Sequence, residues 1–405
     1  MSEPDANDVL EGEKTLPGEV KAWGVASFFS DLSHEAVTSV MPALLIGLGA
    51  GPVSLGVIEG LSDALASVAK FLGGKSADTF RRLKPWVVGG YLLTSLAMPA
   101  VAWAKSWGWV LGLRGVAWIG RGFRSPMRDT LLVRTIPAGL EGRAFGLERA
   151  MDQCGALLAP LLAAALLFWG WSVHRIVALT LLPGLLCVLV VAFFVKEHPR
   201  PRRRSGGAVE APVSKVFRHY LLALGVFGSG DFAKILLVLW ALGPDASEGA
   251  PLVTFGRAAL LYAFFNLVTV VSAYLGGLLS DSRGRKPILV VAYGVGALGA
   301  LVPVLASPGW VTGAFALFLS GCLVGAEESV ERAWASDLAG DRHGHAFGWM
   351  HTINGLGDLI ASATVGWLWE TTSPQIAFGA AASLMGLGAL LTATVPERPR
   401  EISRP

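Results

Sequence analysis

Charge is scarce in this sequence. Asp, Glu, Lys and Arg together make up 16% of the 405 residues against 53% apolar residues, and mean hydropathy is +0.55. That balance exceeds what a soluble core needs, so the length counts membrane spans rather than soluble domains. The formal net charge of +3 is too small to argue for nucleic acid. Cysteine is almost missing: Cys154, Cys187 and Cys322 are odd in number, lie in apolar runs and have no metal-type spacing, which excludes a disulfide framework. The amino terminus has no apolar centre among Glu3, Asp5, Asp8, Glu11, Glu13 and Glu19, so no signal peptide starts there. A Walker loop, a His-Glu-x-x-His pair and a dinucleotide fingerprint are all lacking, and Gly120-x-Gly122 has no third glycine in place. These absences predict no cofactor, no resident metal and no enzyme, and they leave any transport to run on a gradient.

What is present is a series of apolar segments, at about 22–48, 53–74, 86–104, 108–132, 144–168 and 173–195, then 219–242, 256–279, 287–306, 309–335, 345–368 and 375–394. Each is close to or above the roughly 20 residues that cross a ~30 Å hydrocarbon layer as a helix, and a helix satisfies its own backbone there. The predicted fold is therefore an all-α membrane protein of twelve transmembrane helices. The stretch 196–218 is rich in Pro, Gly and Arg, with no periodic apolar face, and reads as a linker. The domain organisation predicted is a tail at 1–21, a six-helix bundle at 22–195, a linker at 196–218, a second bundle at 219–394 and a tail at 395–405. Lys75, Arg81, Arg82, Lys84, Arg143, Arg283, Arg285, Lys286 and Arg342 all follow even-numbered segments. Because basic loops stay cytoplasmic, both termini are predicted on that side of a bacterial inner membrane.

The chain also repeats itself. Gly277-Leu-Leu-Ser-Asp281-Ser-Arg-Gly284-Arg285-Lys286-Pro287 is anticipated by Gly74-Lys-Ser-Ala-Asp78-Thr-Phe-Arg81-Arg82-Leu83-Lys84-Pro85, and Gly142-Arg-Ala-Phe-Gly146 returns as Gly344-His-Ala-Phe-Gly348. The first pair resembles the loop signature of the major facilitator superfamily, G-x-L-x-D-x-x-G-R-K, although Arg81 and Leu83 depart from it. The resemblance implies two pseudo-symmetric six-helix bundles with substrate between them near the midplane. It also implies that Gly74, Asp78, Arg82, Gly277, Asp281, Gly284, Arg285 and Lys286 gate the cytoplasmic side. In that fold Asp78 lies beside the start of helix eleven and Asp281 beside the start of helix five. Arg114-Gly-Val-Ala-Trp118-Ile-Gly120 is similar to the fourth-helix signature R-x-x-x-G-x-G, whose Arg the family associates with proton transfer, with Trp118 in place of the first Gly. Gly155-Ala-Leu-Leu-Ala159-Pro160 is similar to the antiporter signature of helix five, with small residues throughout, and implies export over import.

Charge inside the spans is costly and should face a cavity or a partner. Asp31 and Glu35 are four apart with His34 beside them, and Asp31 lies about 14 Å deep at ~1.5 Å per residue. Glu59 and Asp63 repeat the spacing on the second segment; Arg114, Arg121 and Arg124 lie on the fourth and Asp152 on the fifth. Three readings stay open: proton binding and release with substrate contact, ligation of a divalent metal by Asp31, His34 and Glu35, or fixed interhelical ion pairs. On this reading charge gathers in the amino-terminal half, and Arg121 and Arg124 line the cavity. The expected function is a secondary active transporter of a small solute, proton-coupled and exporting, acting as a monomer in the lipid bilayer. A metal or anionic solute is the alternative cargo, and a non-transporting sensor or scaffold the alternative class.

Overall fold

The computed structural model describes residues 16–135, 141–197, 214–243, 250–339 and 343–396. Among them the chain is helical, without strands. In order come α1 (Gly18–Gly47), α2 (Pro52–Thr79), α3 (Lys84–Ala100), α4 (Trp107–Thr135), α5 (Glu141–Phe168), α6 (Val173–Leu179) and α7 (Leu181–Phe194). They are followed by α8 (Lys215–Gly228), α9 (Ile235–Leu242), α10 (Leu252–Arg283), α11 (Arg285–Leu305), α12 (Trp310–Ala339), α13 (His343–Thr371) and α14 (Pro374–Thr394). Each apolar segment of the sequence falls on one helix or on a consecutive pair: α6 and α7 meet at Thr180, and α8 and α9 are the halves of a broken helix. By length and composition 7 stretches are apolar enough to cross a membrane, on α3, α5, α6 with α7, α10, α11, α12 and α14. The other helices carry polar and charged residues in mid-length or are broken. Most of the predicted linker, 198–213, lies outside the described residues. The cysteines are free; Cys187 is buried, whereas Cys154 is exposed on α5.

Helix ends follow local chemistry. Ser172, Ser214 and Ser373 accept a backbone N–H three residues on, and Pro52 and Pro374 stand at first positions where a missing N–H costs nothing. The start of α3 is held from a distance: Glu197 accepts Leu83 N at 3.1 Å and Lys84 N at 2.9 Å, while Lys84 Nζ donates to Ala192 O at 2.7 Å. A carboxylate at a helix amino terminus contributes about 0.3–1 kcal/mol, and here it fixes the end of α7 to α3. The two loop signatures differ in build. The second turns on Gly284 alone, at φ 100°, where a side chain would be strained, whereas the first spreads over residues 80–83, with φ −74° at Phe80 and −98° at Leu83.

Packing repeats the internal duplication. In the first group α1 packs on α5 and α7, α2 on α4, and α3 on α4 and α7; in the second, α8 packs on α13 and α14, α10 on α12, and α11 on α12 and α14. The groups meet chiefly through α2 on α13 and α5 on α10. Glycine permits the first of these contacts: a Cβ at Gly60 would stand 2.8 Å from Leu359 Cα, and one at Gly366 would stand 2.6 Å from Pro52 O. Small residues of this kind let helices approach where the solvent supplies no hydrophobic drive. Large apolar side chains such as Trp103, Phe193, Leu305 and Val311 point outward, as they do where the solvent is lipid.

Candidate functional site

Arg114, Trp118 and Arg121 stand four and three residues apart, on one face of α4. Arg114, 1% exposed, donates from Nη2 to Glu59 Oε2 at 2.6 Å and from Nη1 to Thr38 Oγ1 at 3.3 Å. Its guanidinium lies 4.2 Å from the Trp118 ring, and Trp118 Nε1 donates to Asp63 Oδ1 at 2.9 Å. The Trp that replaces a signature glycine thus joins Arg114 to Asp63, through a cation–π contact on its face and a hydrogen bond at its edge.

One turn further, Arg121 Nη2 lies 3.8 Å from Asp31 Oδ1, and its Nη1 meets His34 Nε2. His34 Nδ1 is 2.8 Å from Ser30 O, an oxygen that only accepts, which places a proton on Nδ1. His34 Nε2 also lies 3.3 Å from Glu35 Oε1. A bare Nε2 accepts from Arg121; a protonated Nε2 donates to Glu35. The two arrangements exclude each other, so adding one proton to the ring exchanges the partner of Nε2. With both nitrogens engaged, His34 does not offer a metal a free lone pair, and no group of three or more His, Cys, Asp or Glu among the described residues is arranged to hold one.

The second half carries its own ionisable set, which the sequence reading did not single out. Asp231 and Lys234 sit at the break between α8 and α9 and pair with each other; Lys234 Nζ also donates to Phe232 O at 2.7 Å, and Ala233 N to Ser362 Oγ at 2.9 Å. Glu331, 2% exposed, accepts from Tyr293 OH and, at 3.1 Å, from Asn354 Nδ2. The signal was available: Glu327 and Glu331 have the same four-residue spacing within an apolar segment as Asp31 and Glu35. Charge is therefore built into both halves, although the first still carries more of it.

Between the halves lies a cavity of about 530 Å³, walled among others by Glu35, Glu59, Asp63, Arg114, Trp118 and Arg121 from the first half and by Glu327, Glu331, Asn354 and Asp358 from the second. A second cavity of about 370 Å³ shares the walls at Thr38, Glu59, Asp63, Tyr262, Glu327 and Asp358 and reaches the α8–α9 break. The larger one extends towards the end that carries the loop signatures, as far as Lys70, Arg149, Arg332 and His351. At the opposite end α2 and α13 are in contact, with Val53 N donating to Glu370 Oε2 at 3.3 Å. Three further links among the described residues cross between the halves: Tyr262 OH donates to Glu35 Oε2 at 3.0 Å, Arg149 pairs with Glu328, and Asn266 Nδ2 donates to Ala156 O at 2.9 Å. The last has a covalent cause. Pro160 has no N–H, so the carbonyl four residues earlier, Ala156, loses its helical partner, and Asn266 on α10 takes it.

The remaining predicted residues divide. Asp31 and His34 stand behind Arg121 and do not line the cavity. Arg124 is turned away from it, 3.8 Å over the Tyr91 ring, with Nη1 on Thr94 Oγ1 at 3.1 Å and Nη2 on Ser30 Oγ at 3.1 Å; its expected place on the cavity wall is corrected. Packing of Tyr91 and α3 decides that direction. Asp152 holds Arg149 at 3.0 Å. Gly155 lies against the α1 backbone, where a Cβ would stand 3.1 Å from Leu32 N. Gly74 and Gly277 face open space and Arg82 is exposed. Arg285 Nη1 donates to Ser280 Oγ at 2.6 Å, with Nε 3.4 Å from Asp337 Oδ2, and Lys286 is in the first turn of α11. The side chains of Asp78 and Asp281 lie outside the described residues.

Comparison with known proteins agrees with this architecture. The chain is 29% identical over 389 residues to an uncharacterized MFS-type transporter of Methanocaldococcus jannaschii, covering 91% of this chain and 92% of that one. It is 25% identical over 395 residues to a probable sulfoacetate transporter of Cupriavidus necator, covering 90% of each. The crystal structure of a mutant of the nucleoside transporter NupG superposes with a TM-score of 0.77 at 12% identity, over 93% of this chain and all of that one, and shares the fold. The Major Facilitator Superfamily profile matches residues 23–244 and again 222–405. With both matches falling on a duplicated helical architecture that encloses a polar cavity, this chain belongs to the Major Facilitator Superfamily, a family of multi-pass membrane transporters.

Proposed function

We propose that this protein exports a small solute in exchange for protons, by alternating access around the cavity between its halves. The observation that carries the reading is the ion network of α1, α2 and α4, which meets the cavity at Glu35, Glu59, Asp63 and Arg121 and continues behind it to Asp31 and His34. A proton arriving at His34 Nε2 exchanges Arg121 for Glu35 and leaves Arg121 to Asp31. Solute and proton then act on one set of groups, which is the requirement for coupling them.

Access is taken to be cytoplasmic on the loop-signature side, with both termini there, in a bacterial inner membrane, and the working unit to be a monomer. Closure of that side brings Asp78 and Asp281 to the starts of α13 and α5, where a carboxylate is worth about 0.3–1 kcal/mol. The small residues and Pro160 of α5 support export. Seating of Gly155 on α1 and of the Ala156 carbonyl on Asn266 makes α5 the element that a rocking motion must slide.

The test uses purified protein in liposomes with an imposed pH gradient, loaded with a metabolite extract and read by mass spectrometry. The expected outcome is gradient-driven movement of at least one solute, abolished by a protonophore and by Asp31→Asn or Glu35→Gln in protein that still elutes as a single species. Identical fluxes in protein-containing and empty liposomes would leave a sensor or scaffold as the reading.

A further inference from the structure

The deep part of the cavity is acidic in excess of its bases. Its walls near the α8–α9 break carry Glu59, Asp63, Asp231, Glu327, Glu328 and Asp358 against one base, Lys234. Three of these acids are already matched: Glu59 by Arg114, Asp231 by Lys234 and Glu328 by Arg149. Asp63 on α2, Glu327 on α12 and Asp358 on α13 have no basic partner among the ion pairs of the described residues. They face one space from three helices and from both halves.

A second observation is independent of that count. Glu59 is 6% exposed and lines both cavities; its Oε2 is taken by Arg114, but its Oε1 has no hydrogen-bond partner among the described residues. A buried carboxylate oxygen without a donor from the protein is open to one from outside it, water or solute. Asn354 Oδ1, on the same wall, is likewise without a donor.

From these we infer that the cavity binds a hydrophilic organic cation bearing N–H donors, of the amine or guanidine class, with Asp63, Glu327 and Asp358 as counter-charge and Glu59 Oε1 and Asn354 Oδ1 as acceptors. The inference rests on the transport reading above and names its substrate class. Buried carboxylates with no base in ion-pair contact take up a proton or a cation, and a space of about 370–530 Å³ has room for an organic cation. A bare metal ion needs its oxygens within ~2.6 Å of one point, and no such group is present among the described residues. Arg114, Arg121, Arg149 and Lys234 are matched by acids, and Lys70 and Arg332 line only the larger cavity, not the walls near the α8–α9 break, which leaves an anionic solute little to bind there.

The test is equilibrium binding to purified protein in nanodiscs without any gradient, so that its failure is distinct from a failure of transport in liposomes. The probes are agmatine, spermidine and choline, with 3,3-dimethyl-1-butanol as the uncharged isostere of choline and sulfoacetate and nicotinate as anions. Agmatine or spermidine is expected to bind, choline, which has no N–H donor, more weakly than they do but more tightly than its neutral isostere, and Glu327→Gln and Asp358→Asn are each expected to weaken the cation about tenfold or more, the equivalent of a lost charge contact of about 1.4 kcal/mol. Variants that do not fold leave the wild-type comparison of cation, isostere and anion to decide. The inference is overturned if an anion binds in preference to every cation, if Mn²⁺ or Mg²⁺ binds and no organic cation does, if no probe of either sign binds, or if folded variants bind as the wild type does.

Discussion

The two halves place opposite charges on the same scaffold. The offset that carries Asp78 onto Asp281 also carries Arg124 onto Glu327, Arg128 onto Glu331 and Asp31 onto Lys234. In the first half, α4 supplies guanidinium groups and its neighbours supply acids, so that Arg114 meets Glu59, Arg121 meets Asp31 and Arg128 meets Glu148. In the second half α12 supplies the acids, and the groups that meet Glu331 are neutral donors, Tyr293 and Asn354. A duplicated backbone thus yields one bundle in which α4 compensates its neighbours' acids by ion pairs and one in which the matching position, Glu331, relies on neutral hydrogen-bond donors. The lesson is that the fold sets where charge can be placed, while residue choice decides which half holds its partners and which awaits them.

The sharpest way to break the comparison is to remove compensation from the first half. Arg114→Ala strands Glu59 in a buried site, and losing one partner of a buried pair costs about 3–5 kcal/mol. A large fall in thermal stability is expected, measured by retention of the monodisperse peak after heating. Arg114→Ala with Glu59→Gln should recover most of it; no recovery would mean that Arg114 acts through Thr38 and Trp118 rather than through the ion pair.

The Glu331 site of the second half should respond less, because its donors are neutral. Tyr293→Phe removes one donor from Glu331 and leaves Asn354, at a cost of about 1–3 kcal/mol for a buried acceptor that loses its donor. A fall as large as that of Arg114→Ala would remove the distinction between the halves.

Two smaller effects probe the seam. Asn266→Leu leaves the Ala156 carbonyl, already deprived by Pro160, without a donor. About 1 kcal/mol is at stake, and the expected result is a severalfold shift in the distance distribution between spin labels on α5 and α10. Restoring the helical bond with Pro160→Ala in the same protein should cancel the shift. Arg149→Ala removes a solvent-accessible pair with Glu328, worth about 0.2–1 kcal/mol. Its effect on the same distances should be the smallest, and should be mimicked in the wild type by raising salt, which screens exposed pairs.

Much of this was legible in the chain because it depends on composition and order. Apolar length decides that helices form in a bilayer, since only internally bonded backbone is tolerated there, and the loop repeat announces the duplication. The i to i+4 spacing places Asp31 with Glu35 and Glu59 with Asp63 on shared faces, and Pro160 predicts a freed carbonyl. What the sequence could not assign was partnership. Nothing local says that Trp118 bridges Arg114 to Asp63, that Asn266 serves the carbonyl freed by Pro160, or that Arg124 turns to Tyr91 while Arg121, three residues earlier, turns to His34. Those choices depend on which helices pack together and at what rotation, and a rotation of one residue moves a side chain about 100° around the axis. The sequence by itself determined the helices, their duplication and the cost of the charge within them; only the tertiary structure decided which charges meet, because that requires helices distant in sequence to be brought within hydrogen-bonding distance.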